Sequence, residues 1–263
     1  MFKILNRQIL FNNWTRLDVR APEIASRVKA GQFVRVSPEE GGEHIPLTVV
    51  DADALKGTIS IIVHHIGVTT RQLGGMAIHA SLYSVLGPLG MPASIEKKGT
   101  VVCLATGIGI AQILPVVRAL KKAGNKVVGI IGAKTKRELL VESQMRLACN
   151  KIFIALDERS QGHQGLAVDI FKRVMKDENV QRVYTIAPVD VMEEVCSLTR
   201  ARGIETKVTL NTVMVDGTGM CGSCRLKVGG RTVFTCVEGP EFDSHSVDFR
   251  DLRMRMNAPR TTS

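Results

Sequence analysis

From Phe2 to about Ile95, apolar and polar residues alternate in short runs broken by Gly, Pro and Asn. Gln32 to Ser37, Gly57 to His65 and Ile78 to Val85 are three such runs. A period of two with closely spaced turn signals predicts a small antiparallel β-barrel. Gly87-Pro-Leu-Gly90 reads as the turn at its end. From Thr100 the pattern lengthens into alternating strands and helices. Apolar strand runs are predicted at Val101 to Ala105, Lys126 to Ile131, Ile152 to Leu156, Val183 to Ala187 and Glu205 to Leu210. Helical periods fall between them at Gln112 to Lys122, Arg137 to Cys149, Gly165 to Lys176 and Val189 to Arg202. That alternation predicts a doubly wound parallel sheet. The expected organisation is therefore a multi-domain chain. It comprises an antiparallel β-barrel domain at 1–97, an α/β parallel-sheet nucleotide-binding domain at 98–210, and a small C-terminal module at 211–263.

Composition is that of an ordinary globular protein of 263 residues, with no internal repeat or low-complexity segment. No apolar stretch is long enough to span a bilayer, so no membrane role is expected. Met1 to Arg7 lacks the apolar core of a signal peptide, which predicts a cytoplasmic chain with reduced thiols. The net charge of +10 invites an acidic partner. With aromatics at only 4% and no basic–aromatic stacking motif, nucleic acid is excluded as that partner. An acidic electron carrier such as ferredoxin fits the charge, as does a merely solvated surface. The last residues, Asn257 to Ser263, read as a frayed tail.

Three of the six cysteines lie close together, in Asp216-Gly-Thr-Gly-Met-Cys221-Gly-Ser-Cys224 and at Cys236. With a cysteine at 216 the run would be C-x4-C-x2-C…C, the spacing of a plant-type [2Fe–2S] site. Glycines at 217, 219 and 222 let backbone amides approach inorganic sulfide. Asp216 is also an anionic donor, and it reads as the fourth ligand beside Cys221, Cys224 and Cys236. A structural zinc site and a plain Asp-Gly turn are the competing readings. Cys103, Cys149 and Cys196 sit in apolar contexts and read as small core residues.

Two other stretches carry phosphate-binding chemistry. Gly107 and Gly109 lie in a strand–turn–helix run that would offer free amides and a positive dipole to a pyrophosphate. A tight βα turn would need the same glycines. Gly67, Thr69 and Thr70 could hold a second phosphate at a helix start, or simply cap it. His64 and His65 point opposite ways along a strand and read as packing or surface residues.

Taken in order, Ile45-Pro46-Leu47-Thr48, Gly67-Val-Thr69-Thr70, Gly87-Pro-Leu-Gly90, the glycine turn and the cysteine loop resemble the ferredoxin-reductase superfamily. Within it the chain is most similar to electron-transfer subunits of dihydroorotate dehydrogenase and the related transhydrogenase-type small subunits. Asp216 resembles the latter, which use aspartate as a cluster ligand where the dihydroorotate type has cysteine. The resemblance implies FAD against Pro46, Leu47 and Thr48, with its pyrophosphate at Gly67, Thr69 and Thr70. It implies NAD(H) at Gly107 and Gly109, with NADP(H) left open by the basic Lys134, Lys136 and Arg137. A [2Fe–2S] cluster would sit at Asp216, Cys221, Cys224 and Cys236. Partners implied are a larger flavin and [4Fe–4S] subunit and, through the complex, ferredoxin, with electron bifurcation as the joint activity. The dihydroorotate system and a zinc-stabilised nucleotide-binding regulator are the alternatives. Departures from the family pattern are His44 for an arginine, Ala105 for a glycine, and Ala187-Pro188 for Gly-Pro.

Overall fold

The computed structural model describes residues 2–156 and 165–256. The first sheet is built from β1 (Phe2–Phe11), β2 (Trp14–Arg20), β3 (Phe33–Ser37), β4 (Ile45–Asp53), β5 (Thr58–His64), β6 (Ser81–Leu82) and β7 (Ser84–Leu89). Two short helices interrupt them, α1 (Pro22–Ala25) and α2 (Val68–Gly75). The strand order is β6-β1-β2-β5-β4-β3-β7, all antiparallel. Its two edge strands, β6 and β7, follow each other in the chain with Tyr83 alone between them, which makes the sheet a nearly closed barrel. Ile4, Leu17, Val34, Val36, Ile59, Ile61 and Val63 fill its interior.

Two details differ from the expectation. Ile78 to Val85 is not one strand, because β6 pairs with β1 while β7 pairs with β3. Gly87-Pro-Leu-Gly90 is not a turn either; its first three residues continue β7. Phe33 faces Leu89 whereas Arg35 faces Leu86, so the segment between them is a bulge. A bulge tolerates a proline because it leaves the ladder hydrogen bond unmade.

The second layer runs β8 (Thr100–Thr106), α3 (Gly109–Lys122), β9 (Lys126–Ala133), α4 (Glu142–Ala148), β10 (Lys151–Leu156), α5 (Gly165–Asp177), β11 (Arg182–Ile186), α6 (Val189–Arg200) and β12 (Glu205–Thr209). After it come the hairpin β13 (Arg225–Val228) and β14 (Arg231–Phe234), then β15 (Glu241–Asp243) and α7 (Phe249–Met256). The main sheet has the order β10-β9-β8-β11-β12-β15, parallel except for β15 on β12. Helices cover both faces over separate apolar clusters. The helix expected from Arg137 to Cys149 is a 3-10 turn at Lys136–Glu138 followed by α4. Leu139 and Leu140, both buried, lie in the linking segment between the two, and Val141 just before α4 takes a left-handed backbone, φ 51°. Cys103, Cys149 and Cys196 are buried free thiols, as expected. The tail from 257 lies outside the described residues.

A polar network joins the layers. Arg182, fully buried, pairs with Glu205 at 2.6 Å and donates to the Tyr184 hydroxyl at 3.1 Å. Tyr184 donates in turn to the Ser94 carbonyl, in the segment that leads from barrel to parallel sheet. The Ser94 amide donates to Glu241 of β15 at 2.9 Å. Burial pushes the Glu241 carboxyl up from 4.5 to about 7, against the Ser94 hydrogen bond and the charges of Lys207 and Arg182. A raised acid favours its protonated form in the folded state. Its contribution to stability is therefore complete below about pH 4.5 and is lost as pH rises through about 7. The full effect is roughly 3 kcal/mol at most. Glu241→Gln keeps the acceptor for Ser94, so its melting temperature should exceed wild type at pH 8 and match it at pH 5. Equal differences at both pH values would rule out Glu241 as the source.

Candidate functional site

The pleat of β3 and β4 positions the site. Register pairs Phe33 with Thr48, Val34 with Leu47, Arg35 with Pro46 and Val36 with Ile45. Val34, Val36, Ile45 and Leu47 belong to the barrel interior. Alternation then puts Phe33, Arg35, Pro46 and Thr48 together on the outer face. Phe33 packs with Cys224, Cys236, Leu89, Met214 and Phe234. Thr48 accepts from the Gln112 side-chain amide of α3 at 3.3 Å. Gln112 and Asn211 bond reciprocally, at 3.2 and 2.9 Å, so barrel, parallel sheet and C-terminal module meet at this face. Of the expected Pro46-Leu47-Thr48 set, the side chains of Pro46 and Thr48 share that face, while Leu47 presents only backbone there.

The β13–β14 hairpin places Cys224 just before one strand and Cys236 just after the other. Their sulfurs are 3.2 Å apart, well beyond the S–S distance of a disulfide, and both residues are buried. Burial and the adjacent Cys224 push the Cys236 thiol up. Asp216 and Cys221 form the other half. The Asp216 carboxylate accepts the amides of Thr218 at 2.7 Å, Gly219 at 3.2 Å and Cys221 at 2.5 Å. Those bonds, Thr218's foremost, hold its carboxyl below the usual carboxylate range. Cys221 is exposed. Partial desolvation opposes its ionisation, but the Ser223 hydroxyl and amide bring the thiol below its ordinary value. Gly219 has φ 90°, and a Cβ there would stand 2.6 Å from Val237 Cγ2, so only glycine fits. Among the described residues no three such donors converge at metal-holding distance. The donors form two pairs, Asp216 with Cys221 on the loop and Cys224 with Cys236 at the base of the hairpin. Their chemistry fits an iron–sulfur group: three thiols outside any disulfide, one carboxylate, and glycines that bring amides inward.

The glycine turn lies at the point where the order of the parallel sheet reverses, between β8 and β11. A cleft of about 540 Å³ opens there, lined by Gly107, Gly109, Lys134, Glu138, Pro188 and Asn211 among others. Helix α3 starts at Gly109, three residues before its expected start, and no side chain caps it. Its first turn can begin so early because Gly109 lies under the Ile186 carbonyl, where a Cβ would come within 2.2 Å of oxygen. On the barrel side, Gly67 caps α2. Thr70 Oγ1 accepts the Gly67 amide at 2.8 Å, and Thr69 Oγ1 donates to the Glu43 carboxylate at 2.5 Å. Both hydroxyls thus already have protein partners, and Thr70 lies in the first turn of α2, from which its hydroxyl accepts the amide of the N-cap Gly67, rather than before the helix. His64 stacks on Trp14 with ring centroids 3.8 Å apart. His65 packs against Gly74, so neither histidine faces the site.

Residues 211–248 match the iron-sulfur cluster binding domain of dihydroorotate dehydrogenase B. The electron-transfer subunit homolog of dihydroorotate dehydrogenase B from Thermotoga maritima is 34% identical, over 97% of this chain and 88% of its own length. The chain belongs to that family. An oxidoreductase structure described for flavin-based electron bifurcation, that of NADH-dependent reduced ferredoxin-NADP oxidoreductase, superposes with a TM-score of 0.91. It is 32% identical, covering 99% of this chain and 94% of the other. Phthalate dioxygenase reductase, at 15% identity and a TM-score of 0.64, shares the fold. The chain is thus an electron-transfer subunit of the NADH-linked flavo-iron–sulfur reductases. Membership leaves the zinc-stabilised regulator without support.

Sequence reasoning did not single out Arg35, Gln112, Asn211 or Glu43, which the structure brings into contact with residues of the candidate site. A lone polar residue carries no motif; Arg35 reaches the donor loop through the pleat of β3, Gln112 and Asn211 meet where the layers join, and Glu43 is met only by Thr69 of α2.

The two glycines of the turn should respond differently to alanine. Gly107, at φ 57°, has open space around its Cβ position, so Gly107→Ala should cost about 1–2 kcal/mol of backbone strain. Gly109→Ala forces backbone against backbone and should cost about 3 kcal/mol or more. Denaturant unfolding of the two variants measures the difference, and equal losses would contradict the packing described.

Proposed function

We propose that this chain is the FAD and [2Fe–2S] electron-transfer subunit of an electron-bifurcating NADH-dependent reduced ferredoxin:NADP⁺ oxidoreductase complex. The observation that carries the reading is the donor loop. Asp216, Cys221, Cys224 and Cys236 lie on one loop and hairpin, seated on the barrel face that bears Pro46 and Thr48. The solved relative with a TM-score of 0.91 supports it. In this reading those four residues ligate the cluster. Pro46, the Leu47 backbone and Thr48 flank the flavin ring. Gly67, Thr69 and Thr70 receive its pyrophosphate, for which Thr69 must release Glu43. Gly107 and Gly109 present the uncapped start of α3 to the phosphates of NAD(H). Glu138 offers an acceptor to a ribose hydroxyl, which favours NAD(H) over NADP(H) despite Lys134. The working units are 1–97, 98–210 and 211–263.

When bound, flavin and cluster supply two-electron acceptance from NADH and one-electron delivery; no side chain needs to act as acid or base. The protein's part is placement. The β3–β4 face seats one group, the loop holds the other, and the network through Gln112 and Asn211 brings the nucleotide cleft to both. Val213, Val215, Met220 and Val237 leave an exposed apolar rim around the loop. Such a rim suits a permanent partner, the larger flavin and [4Fe–4S] subunit through which ferredoxin is served. No described helix is long and apolar enough to cross a membrane. Service to a dihydroorotate dehydrogenase is the second reading, favoured by the matched domain. A pyrimidine requirement after gene deletion would select it.

Protein purified anaerobically should contain about two irons, two acid-labile sulfides and one FAD per chain. Asp216→Cys should retain the iron but shift the EPR g-values and midpoint potential, since thiolate is the softer donor. An unchanged spectrum would remove Asp216 from the ligand set, and iron-free, flavin-free folded protein would end the reading.

A further inference from the structure

Arg35 is a cation at the meeting of barrel face and donor loop. Its Nη1 donates to the Asp216 main-chain carbonyl at 2.8 Å, across 181 residues of chain. Its Nε is screened from solvent and has no hydrogen-bond partner. Among the described residues no carboxylate lies within ion-pair distance of it. The side-chain stem passes the next loop residue, with Cδ 3.8 Å from where a Gly217 Cβ would stand. On β4 its register partner is Pro46. On β3 its neighbour on the same face is Phe33, which packs on Cys224 and Cys236. His44 cannot share the charge, because burial and then the Arg35 guanidinium hold its imidazole below the ordinary value.

Arg35 is half-buried, and its screened, unpartnered Nε–H is costly to leave without an acceptor. One hydrogen bond to a carbonyl does not offset that cost. The rigid fork of arginine makes sense where one arm holds the backbone and another stays available to an anion. We propose that Arg35 is a positioning residue: it clamps the ligand loop at the Asp216 carbonyl and places a fixed positive charge between the β3–β4 face and the loop. This rests on the reading that the face seats a flavin and the loop a cluster. A positive charge beside a redox group stabilises its reduced, more negative form and so raises its midpoint potential.

Arg35→Gln removes the charge; Arg35→Lys keeps it but loses the fork. Both variants, with wild type, would be prepared anaerobically as full-length chain and assayed for iron, sulfide and FAD. Amide hydrogen exchange over 216–221 would report the clamp, and redox titration followed by EPR would report the charge. Arg35→Gln should show several-fold faster exchange in the loop and a lower cluster midpoint potential. Arg35→Lys should show the faster exchange with a potential close to wild type. Wild-type exchange and potential in Arg35→Gln would overturn the proposal. Should Arg35→Gln fail to fold, Arg35→Lys decides it: faster exchange supports the clamp, and wild-type exchange overturns it. Wild-type protein lacking iron or flavin would instead defeat the underlying cofactor reading.

Discussion

The structure depends on the two-residue period of a single strand pair. Because β3 and β4 are in register without a slip, every second residue faces the barrel interior and the others face outward together. Val34, Val36, Ile45 and Leu47 anchor the pair in an apolar core, where a one-residue shift would bury Arg35 and expose valine. Phe33, Arg35, Pro46 and Thr48 are thereby committed to the far side. That side is not left to water: it receives the thiols, the Asp216 carbonyl and the start of the parallel sheet's first helix.

Polar contacts then keep the three sheets in one arrangement. Gln112 and Asn211 satisfy each other and Thr48, so the junction near the candidate site carries few unpaired groups. Toward the β11-β12-β15 edge of the parallel sheet, Arg182, Tyr184, Ser94 and Glu241 link the connecting segment to β15. Since β15 is itself the last strand of that sheet, the C-terminal module is joined to it by main-chain hydrogen bonds as well as by side chains. A loop so anchored at both ends can hold its donors in place despite having little core of its own.

Much of this was legible in the residues. Alternation with close turns identified the barrel, and the change of period at Thr100 identified the parallel sheet. The cysteine spacing could be read locally because all its parts lie within some twenty residues. What escaped was set by pairing between distant segments. Ile78 to Val85 has a continuous strand pattern, and only the choice of different neighbours divides it. The glycine–proline run resembles a turn because a bulge uses the same residues. The side-chain direction of Leu47 and the importance of Arg35 follow from register, which composition does not reveal. The link of Thr69 to Glu43 depends on a loop folding back from a different strand.

If the three layers bring nicotinamide, flavin and cluster into electronic contact within this one chain, NADH alone must be able to reduce the iron. The direct measurement is anaerobic mixing of the isolated chain with NADH, followed by low-temperature EPR. The prediction is a reduced-cluster signal that disappears when flavin is stripped from the protein and returns when FAD is restored. A cluster that dithionite reduces but NADH does not, with flavin fully present, would contradict it.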